Sequence, residues 1–439
     1  MPERGAPPRP AVRCVAVPFV DAALAMIGAT VLTLATVAGY IKNRLWISEP
    51  LICLVIGIIL GPHVAGLVEF KPGQDLSYLQ PAARITLAIA VMGAALRVPP
   101  SFLRSHAREL LIILLLGMPA MWLISSVVAY FTLPASVLTA LLVGAALTPT
   151  DPVLSTAIVT GQTAEGMEPA YMRNYLTVES GANDGLGLAF IMLPILLMQM
   201  PWGDALHEWL LQTLLWEICA SIVIGLLAGW LAGRCLVWAT DQPFSEPVSI
   251  LTISLGLTLT VLATVHAIGS DGILAVFAAG VVFKGFVDRV ENTDQERIQE
   301  AIGRFFDLPV FLLFGTVLPW TEWLNLGWEA VAFILGILLL RRLPLWIVAG
   351  RILRPVQSIR DSLLLGWFGP IGIAAIYYAC LANHEVGDGL IWPAASLAVA
   401  ASVLVHGSTA TPIAHLYNPN TRRFGWRPVR QEEPPTSSP

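Results

Sequence analysis

The residues best suited to chemistry form one short polar run, ESGANDGLG, from Glu179 to Gly187. It lies between the apolar stretches YLTV and LAFIMLPILLM, where charged side chains are normally rare. At 100° per residue in a helix, Ser180 lies under Asp184 and Glu179 lies under Asn183. An uncompensated Asp at the centre of a membrane helix costs about 2.5 to 3.5 kcal/mol, so a proton, a cation or a basic side chain must neutralise it. The run therefore indicates a functional site.

A second polar interruption, TPTDPV, lies within the preceding apolar segment. Pro149 and Pro152 flank Asp151, and because proline removes a backbone donor and clashes with the preceding turn, the helix should unwind there. The same residues also fit a helix start, with Asp151 as the N-cap and Pro152 at the first helical position. Both interpretations place a carboxylate and a positive helix end beside a cavity, so a functional role is predicted for Asp151.

The elements that hold these residues are predicted to be membrane spans. The chain has 439 residues, of which 56% are hydrophobic and 13% charged, with a mean hydropathy of +0.72. Ordinary soluble domains have about 25% charged residues. Crossing a hydrocarbon core of roughly 30 Å takes about 20 apolar residues. Candidate spans lie at 21–40, 48–67, 83–97, 107–131, 135–160, 172–199, 207–233, 246–267, 271–286, 300–319, 325–349, 361–382 and 389–407.

These thirteen spans predict an all-α polytopic membrane protein built from two six-helix repeats. The repeats are residues 21–200 and 246–407, and a linking helix at 207–233 inverts the second repeat relative to the first. The fifth and twelfth spans occupy matching places, and both are interrupted by proline or glycine. Discontinuous helices at matching positions of inverted repeats indicate the binding site of a secondary transporter. The proline-rich tails, 1–20 and 419–439, are predicted to be disordered.

Charge and composition set the orientation and exclude several classes of protein. Lys and Arg concentrate in alternate loops and in the C-terminal tail, which predicts a cytoplasmic C-terminus and an outside N-terminus. The chain has no phosphate-binding glycine loop and no basic face for nucleic acid, and its five cysteines lack a paired spacing. We therefore expect no cofactor, and we expect ion gradients to supply the energy.

The acidic residues have few possible partners. Arg341 or Arg342 is placed to pair with one acid, since Arg binds a carboxylate through two hydrogen bonds. One acid then keeps no fixed partner, and a proton and a small hard cation such as Na⁺ can compete for its oxygens. Such competition amounts to an exchange mechanism when the site opens alternately to each side. Asp271 and Asp307, near or inside apolar segments, fit either an access funnel or local pairing.

The motifs together resemble a known family. TPTDP followed by ESGANDGLG is similar to the paired motif of the monovalent cation:proton antiporters, in the sodium/proton exchanger branch with Asn-Asp on the acidic helix. The motifs are most similar to those of fungal plasma-membrane and bacterial sodium/proton antiporters. The resemblance extends in order through LAVFAAGVVF at 274–283, FFDLPVFLLFGTVLPW at 305–320, RRLP at 341–344 and GWFGPIGI at 366–373.

The resemblance implies a fold, an activity and a set of site residues. The fold is the sodium/proton antiporter fold with crossed discontinuous helices, and the protein is a homodimer in the plasma membrane. The activity is electroneutral exchange of one Na⁺ or Li⁺ for one proton. Asp184 carries the cation and the proton, and Na⁺ lies at Asp151 and Asp184. The resemblance further assigns oxygen ligands to Thr150 and Ser180, pairs Glu179 with Arg342, and has Asn183 hold the crossing chains.

One departure and three alternatives stay open. Ile371 stands where many relatives have an arginine, which leaves the charge compensation of the twelfth span undecided. A K⁺/H⁺ antiporter of the same family fits the same motifs. An intramembrane aspartyl protease also uses two aspartates, but its Tyr-Asp and Gly-x-Gly-Asp motifs do not occur at Asp151 or Asp184. An anion symporter fits the inverted repeat, although an acidic site repels anions.

Overall fold

The structure is a computed structural model that describes residues 25, 27–34, 36, 46–68, 75–151, 154, 170–242, 249–290, 295–351, 356 and 358–417. All regular secondary structure in these ranges is helical. Both predicted disordered tails and half of the first candidate span lie outside them. Fifteen helices from residue 49 onward are α1 Glu49–Leu60, α2 Asp75–Arg97, α3 Pro100–Ser105, α4 Ala107–Thr132, α5 Val137–Ala146, α6 Ala170–Gln199, α7 Trp202–Thr240, α8 Ile250–Ala267, α9 Ile273–Val290, α10 Gln295–Thr316, α11 Trp320–Leu326, α12 Trp328–Ala349, α13 Ile359–Trp367, α14 Ile373–Val386 and α15 Ile391–Tyr417.

Each candidate span from the second to the thirteenth overlaps at least one of these helices, although α2 begins eight residues before the third span. Among the described residues, seven helices are long and apolar enough to cross a membrane alone: α2, α4, α6, α7, α8, α12 and α15. The others are short, broken or more polar, and the end of α10 meets α11 at a bend of 66°. Spans of this kind need protein neighbours, because exposed backbone groups are not tolerated in lipid.

Local sequence explains where several helices begin and end. Ser136 caps α5 by accepting a hydrogen bond from the Thr139 N–H at 3.1 Å. At the start of α13, Ser358 and Asp361 form a capping box in which each side chain accepts from the other's backbone N–H. Helix α14 ends where Gly387 adopts a left-handed conformation with φ of 70°.

Glycines set how closely the helices pack around α6. Cβ atoms at Gly181 and Gly185 would collide with Phe277 and Leu274 of α9, so these two glycines admit α9. Only Gly187 faces the fifth span, where its Cβ would meet Pro149. These glycines therefore admit two different neighbours, α9 on one face of α6 and the fifth span on another.

The two predicted interruptions are present. Helix α5 ends at Ala146, and residues 147–151 are not helical. The twelfth span is divided into α13 and α14 by the non-helical residues 368–372. Pro152 lies outside the described residues, so the continuation of the fifth span after Asp151 is not described. Both interruptions are buried inside the protein, where side chains supply the hydrogen bonds that lipid cannot.

Candidate functional site

The two interrupted chains cross and hydrogen-bond to each other through Asp151. Its backbone N–H donates to the Pro370 carbonyl at 2.8 Å. Its Oδ2 accepts a hydrogen bond from the Ile373 N–H at 2.6 Å, at the first residue of α14. Asp151 therefore caps α14, a helix of the twelfth span. A negative carboxylate at this position also complements the positive end of the α14 dipole.

Gly372 makes this contact possible. A Cβ at this position would overlap the Asp151 carboxylate. The second glycine in the motif GPIGI, Gly372, is therefore required by the close approach of the Asp151 side chain from another span.

Asn183 connects α6 to the first interruption. Its side-chain oxygen accepts from the Thr150 N–H at 3.1 Å, and its side-chain nitrogen donates to Thr150 Oγ1 at 2.7 Å. Asn183 is fully buried. These two hydrogen bonds fix Thr150 beside the acidic run.

Asp184 follows directly on α6 and is 0% exposed. Neither of its carboxylate oxygens has a hydrogen-bond partner among the described residues, although its backbone carbonyl accepts from the Tyr378 hydroxyl at 2.5 Å. The carboxylates of Asp184 and Asp151 are close enough to repel each other. No described residue therefore compensates an ionised Asp184, and binding a proton or a cation removes that penalty.

Ser180 lies one turn before Asp184 and is also buried. Its hydroxyl donates to the Leu176 carbonyl at 2.6 Å, which leaves the oxygen lone pairs as acceptors. The structure thus brings together Thr150, Asp151, Ser180 and Asp184, the four residues predicted to bind the ion. Within the described parts of the chain, no three His, Cys, Asp or Glu side chains form a resident metal site.

Glu179 pairs with Arg342, as the resemblance implied. The two guanidinium Nη atoms each donate to one carboxylate oxygen, and the Nη2 to Oε2 distance is 2.7 Å. The third donor, Nε, reaches the Leu365 carbonyl at 3.0 Å. This pair compensates one of the two acids of α6 and leaves Asp184 as the other.

Arg341 pairs with no acid side chain in the described part of the chain. Its Nη1 donates to the Leu147 carbonyl at 2.5 Å and to the Thr148 and Pro149 carbonyls at 3.3 Å. Its Nη2 donates to the Gly369 carbonyl. One buried guanidinium therefore compensates the carbonyl ends of both α5 and α13, where the helix dipoles are negative.

Sequence reasoning missed this role. The motif RRLP offered two neighbouring arginines as alternative partners for an acid, and nothing in it assigned different roles to them. The structure also answers the question raised by Ile371, whose side chain is buried and apolar. In the twelfth span, Arg341 compensates the negative carbonyl end of α13, and Asp151 compensates the positive N-terminus of α14.

Comparison with known proteins agrees with this geometry. The family described as "Sodium/hydrogen exchanger, transmembrane" matches residues 31–416. The chain belongs to the sodium/hydrogen exchanger family. The predicted family is thereby confirmed, and the chain is a multi-pass membrane protein of a transporter family rather than an enzyme.

Similar proteins include fungal antiporters and a solved archaeal structure. The chain is 29% identical over 393 residues to a Na(+)/H(+) antiporter of Schizosaccharomyces pombe, covering 83% of this chain and 84% of that protein. It is 28% identical over 408 residues to Na(+)/H(+) antiporter 2 of Zygosaccharomyces rouxii, covering 85% of this chain. The chain spans 50% of the length of that relative.

The sodium proton antiporter MjNhaP1 from Methanocaldococcus jannaschii has a similar structure, with a TM-score of 0.70 at 18% sequence identity. The match covers 90% of this chain and 98% of the archaeal one. The predicted fold class is therefore confirmed.

Proposed function

We propose that this protein is a secondary active transporter that exchanges Na⁺ or Li⁺ for H⁺ across a membrane. The observation that carries the proposal is the Asp184 carboxylate, which is fully buried at the crossing of two interrupted helices and accepts no hydrogen bond from any described residue. A proton and an alkali cation compete for this carboxylate, so one can leave only as the other arrives. The names of the fungal relatives support the same pair of ions.

The cation is held by oxygens from both chains. We assign the ligands to Asp184, Asp151, Ser180 and the Thr150 hydroxyl, because hard monovalent cations prefer carboxylate and hydroxyl oxygens. Asn183 fixes Thr150, so the two sides of the site move as one unit. No cofactor takes part in the proposal.

Charge counting supports an exchange of one cation for one proton. Arg342 compensates Glu179, and the amide at the start of α14 stabilises Asp151. The single remaining acid of α6 accepts either one Na⁺ or one proton, so both loaded forms carry the same charge. Both forms can then cross in alternating access without moving net charge.

We further propose the arrangement of the whole chain. Residues 21–200 and 246–407 form two inverted six-helix repeats joined at 207–233, supported by the matching positions of the two interruptions. The chain is a homodimer in the plasma membrane, with its N-terminus outside and its arginine-rich end and C-terminus in the cytoplasm, following the charge of the loops.

Purified protein in liposomes with an imposed pH gradient tests the exchange. Addition of Na⁺ or Li⁺ is expected to collapse the gradient, and Asp184→Asn is expected to abolish that response. Asp204→Asn, at an exposed acid outside the site, is the matched control and should keep the activity of the parent. Unchanged exchange in Asp184→Asn would reject the assignment of the carrier.

The same liposomes separate the alternatives. A response to K⁺ but not to Na⁺ would identify a K⁺/H⁺ antiporter, and a dependence on an added anion would identify a symporter. Electroneutral exchange reaches the same final pH gradient at any membrane voltage, so a final gradient that shifts with an imposed voltage would refute the proposed stoichiometry. Cleavage of a transmembrane peptide would be needed to support a protease.

A further inference from the structure

A second group of buried polar atoms without partners lies away from Asp184, where α7 meets the turn between α8 and α9. In the described chain it contains Thr213 Oγ1, Glu217 Oε2, Asp271 Oδ2 and Arg84 Nε, none of which makes a hydrogen bond. Such atoms are rare in folded proteins, because each lost hydrogen bond costs about 1 to 3 kcal/mol. Their concentration in one place points to a ligand.

Several contacts hold this group together. The Ser270 hydroxyl donates to the Glu217 carbonyl at 3.1 Å, which packs the turn against α7. Arg84 Nη2 donates to the Asp271 carbonyl at 3.0 Å, while its Nε lies 4.0 Å from Asp271 Oδ1. Thr213 lies one helical turn before Glu217 and beside its carboxylate. Glu217 and Asp271 are close enough to repel each other.

The charge of the group favours a monovalent cation. Glu217 and Asp271 contribute two negative charges, and Arg84 contributes one positive charge, which leaves one negative charge uncompensated. The Asp271 side chain is only 8% exposed, so water does little to screen it. The three partnerless oxygens are two carboxylate atoms and a hydroxyl, the ligand types that hard alkali cations prefer.

Helix α14 connects this group to the Asp184 site. The backbone N–H of its first residue, Ile373, donates to the Asp151 carboxylate. One helical turn further on, Tyr377 donates its hydroxyl to Asp271 Oδ1. The adjacent Tyr378 donates to the Asp184 carbonyl. Four residues of helix span about 6 Å, so the two groups are neighbours along one rigid element. Asp271 lies towards the arginine-poor end of the protein.

We propose that Thr213, Glu217 and Asp271 form a second binding site for an alkali cation, on the arginine-poor side of Asp184. A cation arriving from that side binds there before it reaches Asp184. That this site lies on the route of the transported cation rests on the proposed exchange. Cation binding by Thr213, Glu217 and Asp271 does not depend on it. Tyr377 contacts the same carboxylate, so it is a positioning residue that couples occupancy of this site to the position of α14.

Binding is tested by the thermal stability of purified protein in NaCl compared with choline chloride at equal ionic strength, since a bound ion stabilises the folded state. Asp184→Asn is expected to keep a Na⁺-dependent rise in melting temperature, and adding Glu217→Gln to it is expected to remove that rise. Asp204→Asn, at an exposed acid of the same helix, should leave the rise unchanged. An equal response in Asp184→Asn with and without Glu217→Gln would overturn the second site.

Transport kinetics provide an independent measurement. When Na⁺ is supplied on the arginine-poor side, Glu217→Gln should raise its half-saturating concentration about tenfold, with little change in maximal rate. Thr213→Val, which keeps the side-chain shape, should raise the half-saturating concentration by a smaller factor. Asp204→Asn should leave it unchanged. Unchanged half-saturation in both site variants would also overturn the proposal.

The two proposals fail in different ways. If the parent protein exchanges no ions while Asp184→Asn still shows Glu217-dependent stabilisation by Na⁺, the proposed function is wrong and the second site stands. If the parent exchanges Na⁺ for H⁺ and the stabilisation is absent, the second site is wrong and the function stands.

Discussion

The pair of Glu179 and Arg342 should have opposite effects when it is broken and when it is replaced. The glutamate and arginine side chains are 1% and 3% exposed, and they share two hydrogen bonds. Glu179→Met leaves a buried guanidinium without its counter-ion, and Arg342→Met leaves a buried carboxylate. We expect each single substitution to destabilise the protein, and we expect the double substitution to be less harmful than either.

The expected magnitudes follow from burial. Removing one partner of a buried ion pair costs about 3 to 5 kcal/mol, because an uncompensated charge remains. Solvent screening does not reduce this value at such low exposure. The double variant removes both charges and loses in addition the Arg342 hydrogen bond to Leu365, so its cost should be about 1 to 2 kcal/mol. The coupling energy of the pair is then at least about 4 kcal/mol.

Equilibrium unfolding in mixed micelles of increasing denaturing-detergent fraction measures these energies, with emission from the 14 tryptophans as the probe. Four proteins complete the cycle: the parent, the two single variants and the double variant. Glu208→Met, at an exposed position outside the pair, serves as the control for replacing an acidic residue by methionine. Additive losses, with the double variant as unstable as the sum of the singles, would refute the view that the cost comes from the uncompensated charge.

Three further substitutions probe the crossing chains. Arg341→Met should destabilise the protein by at least about 3 kcal/mol in the same unfolding assay, because four buried carbonyls lose their donor; a loss below 1 kcal/mol would contradict this role. Asn183→Ala should cost about 2 to 4 kcal/mol, since both bonds to Thr150 disappear, and unchanged unfolding would exclude that link. Gly372→Ala should reduce Na⁺-driven proton flux more than about tenfold by displacing Asp151, and normal flux would show that the carboxylate can move freely.

Much of the architecture could be predicted from local sequence. Apolar runs of about 20 residues mark spans because the bilayer has a fixed thickness. Proline and glycine mark the interruptions, because proline lacks a backbone N–H donor and glycine lacks a side chain. Both effects disfavour a helix independently of the neighbouring residues. The placement of Asp184 and Glu179 inside an apolar run likewise follows from sequence, since intramembrane acids are costly wherever they occur.

Partner choice could not be predicted from local sequence in the same way, and only the family resemblance paired Glu179 with Arg342. Arg341 and Arg342 are adjacent and chemically identical, yet one pairs with Glu179 and the other binds carbonyls from two broken spans. The α12 helix is irregular at these two residues, which directs their side chains differently. Asp151 was recognised as a possible cap, but the helix that it caps lies more than 200 residues further along the chain.

By itself, the sequence determined the class, the spans and the acidic residues, because those depend on hydrophobic length and on the intrinsic cost of a buried charge. Only the tertiary structure decided which charge is compensated by which partner. It also brought Thr213, Glu217 and Asp271 together, although they come from segments with no common motif. Compensation is a matter of distances of a few ångströms between distant parts of the chain, and hydrophobic periodicity carries no information about those distances.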